Sequence, residues 1–241
     1  MKPSHEAGAA RPAGAGGPGC ALPGLYLITP QVGDDHAGFL AALRQSLRAQ
    51  PPGALLVQLR CHALERSRWL ALAGEVLRCC LEREAPLLLG AGAWPDPDAA
   101  RALRFGRELG ARGWHLPSRL LEHPAWRDAC LARPPGVMVA ASCHDARQLD
   151  LAARLGADFA TLSPVLPTSS HPGVPSLGWE GLRGLCRQAR LPVYALGGLE
   201  PRHLALARAA GAAGLAAIRG LWGEPGAGGD AAGAAREGST A

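Results

Sequence analysis

The segment GVMVAASCHDARQLDLAARLGADFATL, residues 136–162, decides the fold. It begins and ends with short, nearly continuous apolar runs, which are typical of parallel strands buried on both faces. Between them, DARQLDLAARLG places apolar side chains three and four residues apart, the spacing of an amphipathic helix. Asp145 is a suitable N-cap for this helix, and Gly156 is a suitable end. The segment therefore predicts a strand–helix–strand unit.

The same alternation continues in both directions along the chain. Eight short apolar runs are separated by longer amphipathic segments, such as HALERSRWLALAGEVLRCCLERE at residues 62–84. Eight strands that alternate with seven or eight helices favour an α/β fold, a single (β/α)8 TIM barrel. A doubly wound open sheet is the alternative, but no GxGxxG turn follows the first strand. The predicted strands cover residues 25–29, 54–60, 86–90, 113–116, 136–142, 158–162, 192–198 and 214–218.

Both ends of the 241-residue chain differ in composition from the region between them. Residues 1–22 and 223–241 are rich in Gly, Ala and Pro and have little to bury, so we expect a disordered leader and a disordered tail. Residues 23–222 have a uniform composition without a linker, which indicates one barrel domain.

The composition excludes several classes of function. The formal net charge is +5, but Lys2 is the only lysine, and the arginines do not form the basic, aromatic-containing stripe of a nucleic-acid-binding surface. No apolar run reaches about 18 residues, the length of a membrane span, and no secretion signal is evident. Seven irregularly spaced cysteines without a CxxC pair are typical of reduced cytoplasmic thiols. We therefore expect a cytoplasmic protein that binds a small molecule and neither nucleic acid nor membrane, and the sequence leaves a homo-oligomer open.

In a (β/α)8 barrel, the side chains that do chemistry follow the C-terminal ends of the strands. After the seventh and eighth strands, LGGL at 196–199 and IRG at 218–220 contain glycines that allow backbone amides to approach an anion. Arg219 would add a charged, forked donor. This arrangement favours a phosphate site, and the alternative is that these glycines only turn the chain.

His144 is the candidate acid–base residue, because it follows the fifth strand and an imidazole titrates near neutral pH. A structural histidine bonded to the backbone is the alternative. We expect Asp145 to cap the following helix and Cys143 to be a buried side chain rather than a nucleophile. His115, on the fourth strand, is expected to be a core histidine.

The loop SPVLPTSSHPG, residues 163–173, follows the sixth strand on the same face. Its prolines exclude a helix or a central strand, and its length favours contact with a ligand. Thr168, Ser170 and His171 are the candidate contacts. The alternative is a loop whose hydroxyl groups bond only to their own backbone.

Several of these segments resemble the thiamine phosphate synthase/TenI superfamily. The similarity runs in order over about residues 23–222 and is most specific over ASCHDARQLDLAARLGADFATLSPVLPTSSHPG and LPVYALGGLEPRHLALARAAGAAGLAAIRG. The resemblance implies a (β/α)8 barrel that acts on the thiazole phosphate half of thiamine. Synthases of this superfamily join that half to an aminopyrimidine diphosphate with Mg2+, whereas TenI-type members include thiazole tautomerases.

The resemblance also implies roles for individual residues. Gln58 and Arg60 match a diphosphate-contacting Gln-x-Arg, while His62 and His171 replace lysines of the synthases. His144 stands where TenI-type tautomerases place their catalytic histidine. The residues that the resemblance and the barrel rule assign to substrate or phosphate are Gln58, Arg60, His62, Ser142, Thr168, Ser170, His171, Gly197, Gly198, Ile218 and Arg219.

The sequence departs from the synthases where they bind metal. Gly90 and Ala91 replace an Asn-Asp pair after the third strand, and Leu120 replaces an acidic ligand beyond the fourth strand. Mg2+ prefers hard oxygen ligands, which these side chains lack. We therefore expect a TenI-like thiazole tautomerase that needs neither metal nor other cofactor, with His144 as its catalytic residue.

Two other functions stay open at this point. One is a synthase that needs Mg2+ and coordinates it through other carboxylates, such as Asp96 or Asp98. The other is a catalytically silent module that binds thiazole phosphate or regulates another protein.

Overall fold

The computed structural model describes residues 22–61, 64–94, 96, 98–168 and 173–223. Within them, eight parallel strands pair in chain order, and the eighth pairs with the first to close a barrel. The predicted (β/α)8 barrel is therefore confirmed. The strands are β1 (Leu25–Ile28), β2 (Leu55–Leu59), β3 (Leu87–Gly90), β4 (Gly113–Leu116), β5 (Met138–Cys143), β6 (Phe159–Leu162), β7 (Val193–Leu196) and β8 (Gly214–Ala217).

Seven α-helices in the described residues surround the barrel, and each follows one of the first seven strands. Short 3-10 turns occur as well, including one at Arg219–Leu221 that directly follows β8. The helices are α1 (His36–Arg48), α2 (Arg66–Leu81), α3 (Ala99–Leu109), α4 (Pro124–Leu131), α5 (Ala146–Arg154), α6 (Gly178–Gln188) and α7 (Leu204–Ala209).

The segment that predicted the fold forms β5, α5 and β6. The Asp145 side chain accepts a hydrogen bond of 2.8 Å from the Gln148 amide, so Asp145 caps α5 as expected. The strand begins two residues later than predicted, because residues 134–137 form a turn in which the Val137 amide donates to the Pro134 carbonyl. Gly136 adopts a positive φ of 86° in this turn, which glycine tolerates without strain.

Alternating side chains of the strands build two separate cores. Those that point outward join the helices in a large core, and those that point inward fill the barrel. Tyr26, Phe159 and Tyr194 pack inside the barrel, with ring centroids 5.0–5.8 Å apart. Since inward positions recur at every second residue, Gln58 on β2, His115 on β4 and Ser142 on β5 also point inward, toward the C-terminal end of the barrel.

The predicted leader and tail lie outside the described residues, apart from Leu22 and Gly223. The Gly223 amide donates to Ser46 Oγ at 2.9 Å, which attaches the end of the described chain to α1. No helix among the described residues combines the length and the apolar character needed to cross a bilayer.

Candidate active site

The C-terminal ends of β1 and β2 hold the first predicted contacts. Gln58 is only 7% exposed and points into the barrel. Arg60 follows β2 and is half-buried. Its amide donates to Thr29 Oγ1 at 2.9 Å, and the Thr29 hydroxyl donates back to the Arg60 carbonyl at 3.3 Å. These reciprocal bonds fix the backbone from which the Arg60 side chain projects at the rim. His62 lies outside the described residues and stays a prediction.

His144 follows β5 and is exposed at the rim. Its Nδ1 lies 2.8 Å from the carbonyl oxygen of Ser163, at the end of β6. A carbonyl oxygen can only accept, so Nδ1 carries the hydrogen, and Nε2 is the nitrogen that accepts a proton. The His144 amide donates to Gln148 Oε1 at 2.8 Å, which holds the backbone at the start of α5. The His144 ring is thus oriented by the bond from Nδ1–H to the Ser163 carbonyl, and Nε2 is its basic nitrogen.

Cys143, the neighbour of His144, points away from this rim into the outer core. It is fully buried, and burial raises the pKa of its thiol to about 12. The thiolate that a nucleophile requires is therefore absent near neutral pH. This agrees with the expectation that Cys143 is a packing residue.

The loop after β6 is attached to β7 by its backbone. The Val165 amide donates to the Leu196 carbonyl at 2.9 Å, and the Leu166 amide donates to the Gly197 carbonyl at 3.0 Å. These bonds extend the sheet into the loop and place its first half beside the end of β7. Thr168 belongs to this half, whereas Ser170 and His171 lie outside the described residues and stay predictions.

The glycines after β7 meet this loop closely. Gly197 and Gly198 have positive φ angles of 105° and 66°. A Cβ on Gly197 would come within 2.8 Å of Pro164 Cα, and one on Gly198 within 2.5 Å of the Pro167 carbonyl oxygen. Both positions therefore require glycine for packing and for backbone conformation, independently of any ligand.

The turns after β7 and β8 contain backbone amides that could donate hydrogen bonds to an anion. Within the described part of the chain, the amides of residues 197–199 and 218–220 donate to no backbone carbonyl. A Cβ on Gly220 would lie 2.4 Å from the Leu199 carbonyl oxygen, so the turn after β8 packs directly on the turn after β7. Ile218 is half-buried there. Arg219 is exposed and makes no ion pair among the described residues. The predicted phosphate residues are thus brought together, and we call this side, with Ser142 and His144, the β5–β8 rim.

The opposite side, which we call the β3–β4 rim, consists of the turns after β3 and β4 and includes Gly90, Ala91 and Leu120. A cavity of about 310 Å³ lies beside it, and Arg119 lines the cavity and donates to the Gly92 carbonyl at 3.2 Å. Among the described residues, no group of three or more His, Cys, Asp or Glu is placed to hold a metal ion. Gly90, Ala91 and Leu120 offer no side-chain oxygen, and the Asp96 carboxylate that lines the cavity is paired with Arg101. The described side chains at this rim therefore do not fit a protein-bound Mg2+.

The two carboxylates proposed as substitute ligands have other partners. Asp98 caps α3 by accepting from the Arg101 amide at 2.9 Å. Asp96 accepts from the Asp98 amide and pairs with the Arg101 guanidinium, both at 2.9 Å. Both carboxylates thus stabilise the first turn of α3.

Sequence reasoning missed a buried polar connection between two of its own candidates. Ser142 Oγ lies 2.8 Å from His115 Nε2, and His115 Nδ1 lies 2.9 Å from the Tyr26 hydroxyl. The Tyr26 hydroxyl is also 3.5 Å from Gln58 Oε1. His115 is buried with both nitrogens bonded, as expected of a core histidine, but its partner is a rim residue. The inward register of Tyr26, His115 and Ser142 places all three in the barrel interior, but it does not specify which of them touch.

Comparison with known proteins identifies the family of this barrel. The profile of a family described as thiamine monophosphate synthase matches residues 25–221, which is the whole barrel. The chain belongs to the thiamine monophosphate synthase family. A protein of Aquifex aeolicus named putative thiamine-phosphate synthase 2 is 32% identical over 200 residues, covering 82% of this chain and 96% of its own. The thiamine-phosphate synthase of Thioalkalivibrio sulfidiphilus is 30% identical over 205 residues, covering 85% of this chain and 90% of its own.

A solved structure supports the fold of this family member. Thiamine phosphate pyrophosphorylase from Pyrococcus furiosus superimposes with a TM-score of 0.59 at 21% identity, covering 82% of this chain and 86% of the other. At this level of identity the likeness concerns the barrel alone. Which chemistry the barrel performs must be argued from its rim.

Proposed function

We propose that this protein binds a thiazole phosphate at the β5–β8 rim and transfers a proton on the thiazole ring through His144, as a TenI-like tautomerase would. The observation that carries the proposal is the fixed orientation of His144. Its Nδ1–H is bonded to the Ser163 carbonyl at 2.8 Å, so Nε2 is the atom that takes up and returns a proton. A tautomerisation needs both steps and returns the residue to its starting state.

Phosphate binding is assigned to the turns after β7 and β8. Amides of residues 197–199 and 218–220 that lack backbone partners in the described chain supply donors, and glycine allows a close approach. Arg219 adds a cation that no carboxylate of the described residues pairs with. Ser142 and Gln58 point into the barrel and are available to the ring portion of the ligand.

Proton transfer through a histidine needs no divalent cation. This agrees with the β3–β4 rim, whose side chains at Gly90, Ala91 and Leu120 offer no oxygen ligand. A diphosphate leaving group, by contrast, relies on metal ions or several fixed cations to stabilise its developing charge. The rim thus favours an isomerisation over a transfer of diphosphate.

A second candidate is thiamine phosphate synthesis from the same thiazole phosphate. Two observations favour it: the relatives from A. aeolicus and T. sulfidiphilus carry synthase names, and Gln58 and Arg60 retain the Gln-x-Arg pair. No step through Mg2+ is assigned to this chain, because the described side chains of the β3–β4 rim do not fit the ion.

One set of assays on the purified protein separates these functions. Thiazole phosphate in D2O is followed by NMR for protein-dependent exchange of ring-bound hydrogen and for conversion between tautomers. A second reaction contains thiazole phosphate, aminopyrimidine diphosphate and Mg2+ and is analysed for thiamine phosphate. Exchange without thiamine phosphate supports the proposal. Formation of thiamine phosphate above background overturns it in favour of synthesis, and binding without either reaction overturns it in favour of a silent binding module.

A further inference from the structure

The cavity of about 310 Å³ beside the β3–β4 rim combines apolar walls with a charged group. The indole rings of Trp94 and Trp126 form two of its walls, and Leu120 adds a further apolar side chain. The guanidinium group of Arg119 belongs to the same lining. Apolar and aromatic walls with a charged donor are typical of a site for a small organic molecule.

The two indole walls are supported from behind by a third tryptophan. Trp114, on β4, is fully buried. Its ring centroid lies 5.2 Å from that of Trp94, in an edge-to-face arrangement, and 6.1 Å from that of Trp126. Trp126 itself is only 5% exposed. Because these rings pack on one another, the walls of the cavity are formed without a ligand.

The guanidinium of Arg119 has a defined position at this cavity. It donates to the Gly92 carbonyl at 3.2 Å, which links the turn after β4 to the turn after β3. A Cβ on Gly92 would lie 3.0 and 3.3 Å from the two terminal nitrogens of Arg119, so the guanidinium lies closely against this glycine. A guanidinium carries several N–H donors in a planar fork. The bond to Gly92 therefore leaves donors for a ligand.

The charges of the lining favour an anion. Arg119 makes no ion pair with any carboxylate of the described residues. The carboxylate in the lining, Asp96, is paired with the Arg101 guanidinium and also accepts a hydrogen bond from the Asp98 amide, both at 2.9 Å. His123, at the edge of the cavity, is neutral or cationic and is assigned no contact. The positive charge of Arg119 is therefore the one without a counter-charge in this lining.

We infer that this cavity binds a small oxyanion carried by a planar aromatic ring, such as an aromatic carboxylate or an aryl phosphate. Arg119 binds the oxyanion, since its planar fork matches the geometry of carboxylate and phosphate oxygens. Trp94 and Trp126 pack against the ring. The site is separate from the β5–β8 rim, so it does not rest on the proposed function.

The ligand class is tested by NMR of the indole N–H groups in protein labelled at tryptophan. Signals are assigned by their loss in Trp94→Phe and Trp126→Phe, and benzoate, phenyl phosphate and inorganic phosphate are titrated separately. Benzoate or phenyl phosphate should shift the signals of Trp94 and Trp126 but not that of Trp222, which packs on Phe39 instead. The probe that acts at the lower concentration identifies carboxylate or phosphate as the preferred oxyanion. No shift with either aromatic probe, or equal affinity for inorganic phosphate, overturns the inference.

The role of the guanidinium is tested by the same titration in Arg119→Gln. Affinity for the aromatic probe should fall about 5-fold, a modest loss for a charge-assisted bond because Arg119 is exposed and its charge is screened. Arg112→Gln is the matched control, since it removes the same charge from an exposed arginine at the opposite end of β4. Arg112→Gln should leave affinity unchanged. Equal losses in both variants would assign the effect to net charge and overturn the site.

A second variant keeps every charge and moves only the guanidinium. In Gly92→Ala the new methyl group would crowd the terminal nitrogens of Arg119, which can swing away because they end a flexible side chain. The thermal stability should therefore stay within about 1 kcal/mol of the wild type, while affinity for the aromatic probe falls about threefold or more. Unchanged affinity overturns the assigned contact between Arg119 and the oxyanion.

Arg219→Ala distinguishes this site from the β5–β8 rim. It should leave the shifts of Trp94 and Trp126 unchanged, because Arg219 follows β8 and is absent from the lining of this cavity. Loss of the shifts in Arg219→Ala would place the probe at the β5–β8 rim and overturn the separate site. Failure of thiazole phosphate to bind would contradict the proposed function alone.

Discussion

The two sides of the barrel rim differ in what their side chains can do, although the same kind of turn builds both. The β5–β8 rim combines Ser142, His144, Arg219 and amides without backbone partners in the described chain. The β3–β4 rim presents Gly90, Ala91 and Leu120, and Asp96 and Asp98, which follow β3, stabilise the start of α3. The backbone of a (β/α)8 barrel thus carries side chains of very different chemistry at the two sides of one rim.

The largest expected effect tests whether the acid–base residue belongs to the β5–β8 rim. His144→Ala should lower the rate of ring-hydrogen exchange about 100-fold or more, the usual contribution of a general acid–base group. Its affinity for thiazole phosphate should change little, because the phosphate contacts are untouched. The rate is measured by NMR in D2O and the affinity by calorimetry.

The control for this change is His123→Ala. His123 is an exposed histidine at the start of α4, beside the β3–β4 rim. The His123→Ala variant should leave the rate of ring-hydrogen exchange unchanged. If both variants exchange at the same rate as the wild type, the acid–base role of His144 is wrong.

The next prediction concerns the pH dependence of stability that the buried His115 causes. The pKa of His115 is about 3 in the folded protein against 6.5 for the free side chain, so the unfolded chain binds a proton that the folded one rejects. Stability from this group is therefore complete above pH 6.5 and is lost as the pH falls toward 3. The loss should amount to about 1.4 kcal/mol per pH unit.

The measurement is denaturant unfolding of wild type and His115→Gln between pH 7 and pH 4. Below pH 6.5 the free energy of unfolding should fall more steeply with decreasing pH in the wild type than in His115→Gln. The difference corresponds to about one proton taken up on unfolding, and it amounts to roughly 2–3 kcal/mol at pH 4.5. The comparison uses the slope, so a constant destabilisation by the substitution does not affect it. Parallel slopes would mean that His115 accepts a proton in the folded state.

A pair of glycines tests how tightly the turn after β7 is built. Gly198 and Gly53 have similar positive φ angles of 66° and 73°. A Cβ on Gly198 would meet the Pro167 carbonyl oxygen at 2.5 Å, whereas the nearest atom to one on Gly53 is 3.9 Å away. Gly53→Ala should cost about 1 kcal/mol of stability for its backbone conformation. Gly198→Ala should cost about 2 kcal/mol more, because the loop after β6 must shift. Equal losses in thermal or chemical unfolding would contradict the close packing of the two loops.

The smallest expected effect concerns the cation of the β5–β8 rim. Arg219→Ala should weaken binding of thiazole phosphate about 5-fold, since Arg219 is exposed and its charge is screened. Arg187→Ala removes the same charge near the C-terminal end of α6, at the opposite end of the barrel, and should leave affinity unchanged. Dephosphorylated thiazole should not distinguish wild type from Arg219→Ala. An equal response to both arginine changes would assign the effect to net charge alone.

The fold could be predicted closely, because buried parallel strands are recorded in the sequence as continuous apolar runs. All eight strands lie within two residues of their predicted starts and ends, and the late start of β5 reflects the turn at Gly136. The rim residues followed from the rule that strand ends carry the chemistry. The ligand roles of all the rim residues stay predictions, and His62, Ser170 and His171 also lie outside the described residues.

The buried polar connection behind Ser142 could not be derived in the same way. Tyr26 and His115 are 89 residues apart, and their strands, β1 and β4, are not neighbours in the sheet. Their contact depends on the stagger of the closed barrel and on how Phe159 and Tyr194 fill its interior. From the sequence alone, a tyrosine and a histidine at inward positions indicate only that both side chains pack in the barrel interior.

The difference between the two rims is tested most directly by calorimetric titration of thiazole phosphate and of aminopyrimidine diphosphate, each in Mg2+ and in EDTA. We predict that thiazole phosphate binds with the same affinity, within about twofold, in both conditions, and that Mg2+ does not tighten binding of the diphosphate. Tightening of the diphosphate by about tenfold or more in Mg2+, lost when Leu120 is replaced by Arg, would contradict the account by revealing a working metal site at the β3–β4 rim.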